Sequence, residues 1–179
     1  MKWVLEEIKV WHLEIMQPAI RDRTPTTYQL EKLIDPDPVF CRYLYATVGA
    51  PWIWYEKLGW SVEEWKTHVM RPDTHFWVAF QGGSPAGYFE IRDEGSGSAE
   101  ICLFGLVPNW IGKGLGAHLL ADAIRCAARL SEGRVWLHTC SLDHPNALPN
   151  YQKQGFTVFR EETFTARIPV GPLEPYPGA

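Results

Sequence analysis

The stretch VPNWIGKGLGAHLL, residues 107–120, places glycine at every second position, Gly112, Gly114 and Gly116, directly before an apolar helical run. A backbone this bare ahead of a helix has few uses. A Walker A loop needs G-x-x-x-x-G-K-[ST], but here Lys113 lies between glycines and is followed by Gly114, so that motif is absent. A dinucleotide fingerprint needs G-x-G-x-x-G within a βαβ unit, and the spacing here is G-x-G-x-G. Two readings remain. One is a tight turn; the other is a pyrophosphate cradle, in which exposed N–H groups and the positive end of the helix receive phosphate oxygens.

On the C-terminal side of the glycines, Leu115, Leu119, Ala123, Ala127 and Leu130 recur at near-helical spacing and predict the longest helix. Before them, THFWVAFQ (74–81), AGYFEIR (86–92) and SAEICLFGLV (98–107) are aromatic and β-branched. The turn sequences GGSP and DEGSGS separate them, which predicts three sequential antiparallel strands. An isolated glycine in the third, Gly105, suits a bulge. Residues 134–141 predict a strand, 145–155 a short helix ending at Gly155, and 156–170 one or two strands. Nearer the N-terminus, 9–16 alternates as a strand and 17–38 is polar, proline-punctuated and predicted irregular. Residues 39–49 carry Phe40, Tyr43, Leu44 and Val48 at helical spacing with Gly49 as the stop, and Ser61 with Glu64 forms a capping box. The order predicts an α+β fold: a mainly antiparallel sheet of six to seven strands, with helices on both faces and one crossover. We expect one domain over 1–170 and a Pro/Gly-rich tail over 171–179.

Composition sets bounds. With 179 residues, 46% of them hydrophobic, the chain can bury one real core but is short for two. The formal net charge of -4 gives no footprint for nucleic acid or an anionic membrane and mildly favours a cationic or neutral ligand. No stretch approaches the ~20 apolar residues of a membrane span. Cys41, Cys102, Cys126 and Cys140 contain no C-x-x-C pair, and the first residues carry Glu6 and Glu7 rather than a signal sequence. The expectation is a cytoplasmic protein with reduced thiols and no metal.

The combination of Leu106-Val107-Pro108, Ile111-Gly112-Lys113-Gly114-Leu115-Gly116, then Ala147 and Tyr151, then Gly155-Phe156 resembles the GNAT superfamily of acyl-CoA-dependent N-acetyltransferases. The resemblance runs from about residue 74 to 162. It implies that acetyl-CoA is the co-substrate, held by Gly105, Leu106, Val107, Ile111, Gly112, Lys113, Gly114, Leu115, Gly116, Ala117 and Tyr151. It also implies that the strand before the cradle splays from its neighbour, so that its backbone receives the pantetheine arm. Two positions depart from the family pattern. Ile111 replaces an Arg or Gln, leaving the grip to backbone amides, and His144 stands at an Asn position.

Acetyl transfer to an amine needs a neutral nucleophile, donors for the oxyanion, and a proton for the leaving thiolate. Tyr151 matches the family's general acid. Glu100 is the first candidate base. In a hairpin closed symmetrically about Gly95, Glu90 would face Glu100, and the like charges would raise one pKa. Trp52, Trp54 and Tyr55 lie in a loop implied to cover the acceptor, where aromatics form either a cage for a cationic amine or a staple on the core. His138 and Cys140 share a strand face; a Cys–His nucleophile pair can be drawn there, although a core role or a helix cap by Asp143 or His144 serves these residues as well. The leading function is an N-acetyltransferase working by direct attack of a primary amine, small-molecule or peptide. The alternatives are a non-catalytic acyl-CoA-binding module and a thiol hydrolase using Cys140. Exposed edges near the C-terminus allow a homodimer.

Overall fold

A computed structural model describes residues 2–20, 22, 25–171 and 173. The tail foreseen over 171–179 lies, apart from Gly171 and Leu173, outside the described residues. The chain runs β1 (Trp3–Met16), β2 (Gln29–Lys32), α1 (Pro38–Gly49), α2 (Val62–Val69), β3 (Thr74–Gln81), β4 (Ser84–Gly95) and β5 (Ser98–Leu106). It continues as α3 (Leu115–Leu130), β6 (Arg134–Cys140), α4 (Ala147–Lys153) and β7 (Thr157–Pro169). The strands form one sheet in the order β2-β3-β4-β5-β6-β1-β7. Every neighbouring pair is antiparallel except β5 and β6.

Alternation along the strands allots the two faces. On β3, Trp77 and Ala79 enter the core under α3, with Phe89, Ile91, Leu119, Leu120, Ala123 and Leu137. Phe76 and Val78 point the other way, to Tyr45 and Trp65 and to Leu44 and Val48 from α1 and α2. The period of two in the strands and the 3.6-residue period in α3 therefore meet on one surface. Leu119 and Leu120 are fully buried; truncating either to Ala costs about 2–5 kcal/mol.

Local signals set the helix ends. Asp37 accepts a hydrogen bond from the Phe40 N–H at 2.7 Å and caps α1, with Pro38 in its first turn. Ser61 and Glu64 form the reciprocal capping box of α2. Gly49 does not stop the first helix cleanly, because a 3-10 turn continues over Ala50–Trp52. Residues 17–38 are not wholly irregular either: Gln29–Lys32 pairs with β3 as an edge strand. Three of its four residues are exposed, so it carries no burial alternation to read.

Candidate active site

The parallel ladder between β5 and β6 is short. It joins Ser98 to Arg134, Ala99 to Val135 and Glu100 to Trp136, and ends there. Beyond it the strands diverge and open a wedge in the middle of the sheet. On its other side β5 stays paired with β4 to the end, but the register slips between Glu90 and Ile91, leaving Cys102 as the extra residue. The bulge is thus at Cys102 and not at Gly105, which pairs regularly with Tyr88. Gly105 is small for a different reason: a Cβ there would stand 2.4 Å from Val48 Cγ1 of α1.

Past β5 the chain makes a 3-10 turn over Pro108–Trp110 and reaches the glycines. Gly112 and Gly114 have φ of 78° and 80°, left-handed values that L side chains rarely adopt, and open space lies where a Cβ would be. Gly114 is the N-cap of α3 and supplies no side-chain hydrogen bond to it. The first N–H groups of a 16-residue helix therefore lack a side-chain cap and face a cleft. This cleft, about 450 Å³, is lined by Gly105, Leu106, Ile111, Gly112, Gly114, Gly116, Ala117 and Tyr151. These are eight of the positions implied for coenzyme binding. Three others turn away. Leu115 is buried in the core. Lys113 lays its Nζ 4.6 Å from the Trp110 ring centroid. Val107 has both backbone groups engaged, its N–H on Ala86 O and its C=O receiving the Trp110 N–H, so it has no free group for a ligand.

A second cleft of about 280 Å³ opens on the other side of the wedge. Tyr45, Trp52, Trp54, Tyr55, Glu56, Lys57, Phe104, His138, Asp143 and Tyr151 are among its walls. Trp52, Trp54, Phe104, Asp143 and Tyr151 line both clefts, so the two meet at these residues. Tyr151 is 8% exposed and packs edge-on against Phe104 and Phe156. Burial, with the nearby negative charge of Asp143, pushes its phenol well above the usual tyrosine range, so it is protonated at neutral pH.

The tryptophan-rich loop divides its work. Trp60 and Trp65 pack edge-on with each other and with His68, a staple on the core. Trp52, Trp54 and Tyr55 face the second cleft. Between the two tryptophans, Ile53 has φ of 59°. A β-branched residue held there stores strain of about 1–3 kcal/mol.

The carboxylates are not arranged as a like-charge pair. The β4–β5 register puts Arg92, not Glu90, opposite Glu100; Glu90 faces Leu103. The bulge at Cys102 and a second irregularity near Asp93 break the symmetric closure that the spacing suggested. Glu100 bonds to Arg92 through one oxygen and lies 3.3 Å from His138 Nδ1 through the other. Burial alone would raise its pKa, but the His138 hydrogen bond and the Arg92 charge outweigh burial and hold it below the ordinary carboxylate value. The same hydrogen bond raises His138, whose side chain is 48% exposed and lines the second cleft. Glu90 is 2% exposed and lines neither cleft. It lies 3.1 Å from His68 Nε2 and 4.0 Å from Lys57 Nζ, and so holds Lys57 at the wall of the second cleft.

Cys140 also lines that cleft, but burial pushes its thiol up to about 11, which suppresses the thiolate a nucleophile needs. Asp143 does not cap α4: its carboxylate accepts from the Cys140 N–H and Thr139 Oγ1 and pins the end of β6. His144 also leaves the helix end uncapped, accepting the Asn146 N–H and meeting Trp52 edge-on at 5.0 Å. Sequence reasoning missed Tyr45 and Lys57 altogether and placed His138 only beside Cys140. The one available signal was alternation along β6, which aligns His138 with Trp136, the partner of Glu100.

The family model described as "Acetyltransferase (GNAT) family" matches residues 21–156. The chain belongs to the GNAT acetyltransferase family. Members of that family typically take an acyl group from acyl-CoA. Solved structures share the fold. A GCN5-related N-acetyltransferase from Sphaerobacter thermophilus superposes with TM-score 0.67 at 16% identity, over 93% of this chain and 53% of that one. A putative GNAT acetyltransferase from Novosphingobium aromaticivorans gives 0.60 at 19% identity, over 91% and 71%. An aminoglycoside acetyltransferase from an uncultured soil metagenomic sample, in complex with sisomicin, gives 0.60 at 15% identity, over 72% and 88%. The chain spans 53% of the Sphaerobacter thermophilus structure, and 62% and 52% of two further solved structures with the same fold, from Staphylococcus epidermidis and Drosophila. A comparison with curated proteins finds no match. Among the described residues no helix is long and apolar enough to cross a membrane. Nor, among those residues, do three or more His, Cys, Asp or Glu side chains gather to hold a metal ion.

Proposed function

We propose that this chain moves an acetyl group from acetyl-CoA to a small primary amine by direct attack. The observation that carries the reading is the position of Tyr151, protonated and buried where the glycine-lined cleft meets the aromatic one. Acetyl-CoA supplies an activated acyl thioester. The residues present fit it: bare left-handed glycines and uncapped helix N–H groups suit a pyrophosphate, and the apolar Leu106, Ile111 and Ala117 suit the rest of the cleft.

The chain's own groups then have distinct tasks. The backbone of Leu106, on the open side of β5, orients the donor arm and offers an N–H to the developing oxyanion. Tyr151 gives its phenolic proton to the departing thiolate. His138 takes the proton from the amine, with Glu100 holding the ring and stabilising the imidazolium; Glu100 thus acts through His138. Glu90, through His68 and Lys57, positions a wall of the acceptor cleft.

The acceptor reading is a cationic amine with an apolar body. Trp52, Trp54 and Tyr55 supply ring faces, and Glu56 and Asp143 supply negative charge. The cationic walls are already answered, Lys57 by Glu90 and His138 by Glu100, so the carboxylates set the sign of the cleft. A volume near 280 Å³ suits a small molecule. Thiol release from acetyl-CoA over a panel of arylalkyl amines, polyamines and anionic amines tests this. Turnover confined to cationic amines is expected, and preference for amines bearing a carboxylate overturns it.

A further inference from the structure

β7 is the outer strand of the sheet, 13 residues long, and among the described residues it pairs only with β1. Natural edges are usually short, bulged or broken by proline. This one is long, with Phe159 and Phe164 44% and 48% exposed. Its irregularities lie at its two ends. The slip opposite His12 and Leu13 makes Phe159 the extra residue of a bulge, and Pro169 ends the strand without an N–H. Between them Arg160–Ile168 is regular, and its midpoint is Phe164.

The charges on that stretch choose a partner. A second copy related by a two-fold axis through the sheet pairs antiparallel with β7 and keeps each face continuous, so only registers centred on a residue are allowed. Centred on Glu161 or Glu162, the strands oppose a carboxylate to itself. Centred on Thr163 or Thr165, they form no ion pair between directly opposed residues. Centred on Phe164, Glu161, which also holds Lys9 of its own chain at 2.7 Å, faces the partner's Arg167, and Arg167 faces the partner's Glu161. Phe164 then meets the partner's Phe164 on the axis, and Thr163 meets the partner's Thr165. Charge, apolar exposure and the placing of the bulge and proline all select the same residue.

We infer that β7 is a self-recognition edge, joining two copies of this chain in one continuous sheet about an axis at Phe164. The consequence reaches the site: Phe164, Ala166 and Ile168 line the aromatic cleft, so the second copy closes its outer rim. The pairing stands independently of the proposed acetyl transfer, and its test reads mass rather than activity.

Sedimentation velocity across the micromolar range is expected to show a dimer. Glu161→Arg alone or Arg167→Glu alone opposes like charges twice and should weaken the dimer about tenfold or more, whereas the double exchange restores it. Glu161 and Arg167 are both exposed, so circular dichroism should show each variant folded. Under mild oxidation, with the wild-type chain and its four native thiols as control, Phe164→Cys should form an intermolecular disulfide and Glu162→Cys should not. A wild-type monomer at every concentration, failure of the double exchange to restore the dimer, or cross-linking through Glu162→Cys in preference to Phe164→Cys overturns the inference.

Discussion

The two clefts that meet at Tyr151 are made of different material. The glycine-lined cleft has a stretch of bare backbone, the left-handed Gly112 and Gly114 with the start of α3, together with side chains that include Trp52, Trp54, Ile111, His144 and Tyr151. All but a few of its residues fall between Gly105 and Tyr151, close along the chain. The aromatic cleft is mostly side chain, assembled from β1, α1, the 50–57 loop, β5, β6 and β7. On the proposed assignment, the amide cradle meets a feature common to every acyl-CoA. A wall of side chains can be rebuilt for each acceptor without disturbing the donor.

Substitutions should split along this line. The largest effect is expected at the junction. Tyr151→Phe removes only a hydroxyl and should lower kcat about 10²-fold or more, with acetyl-CoA affinity nearly unchanged. Steady-state thiol release with calorimetric titration of the coenzyme separates the two quantities, and an equal loss in both would blur the distinction between the clefts. Gly114→Val comes next. A β-branched side chain is strained at φ of 80°, so the loop must shift, and coenzyme Kd should rise about tenfold or more while Ile111→Ala changes it little. If Ile111→Ala proved the worse, the grip would lie in side chains after all. Trp54→Ala should raise KM for the amine about tenfold and leave coenzyme Kd alone. A change in Kd instead would assign Trp54, which lines both clefts, to the donor.

The smallest effect is a displacement in pH. His138 must be neutral to accept a proton, so the rate rises with pH through its pKa, which Glu100 raises. Glu100→Gln removes the charge that favours the imidazolium. The rising limb of the pH–rate profile should move to lower pH, with a lower plateau from the weaker base. A limb that stays in place would exclude His138 as the titrating group.

The same difference in material explains what the sequence discloses. Glycine spacing, the Ser61–Glu64 box and the turn sequences between β3, β4 and β5 are local signals, and the fold and the cradle are legible from them. The surroundings of Glu100 are not, because they depend on strand register. One extra residue at Cys102 replaces a Glu90–Glu100 pair with Arg92 against Glu100. No local pattern marks that bulge, and the glycine that looked suited to one, Gly105, is small because Val48 approaches it from α1. Lys57 and Tyr45 reach the acceptor cleft only through tertiary packing, so nothing in their neighbouring residues announces them. The edge strand β2 escaped for a related reason, since a strand with three of four residues exposed has no alternation.

We place the meeting of donor and acceptor at Tyr151. Its most direct test is thiol release from acetyl-CoA by the wild-type chain across the amine panel, with the amine product identified by mass spectrometry. Release that depends on a cationic amine, with one N-acetylated product per free thiol, is expected. Tight binding of acetyl-CoA with no amine-dependent release would contradict it and leave a coenzyme-binding module on the same fold.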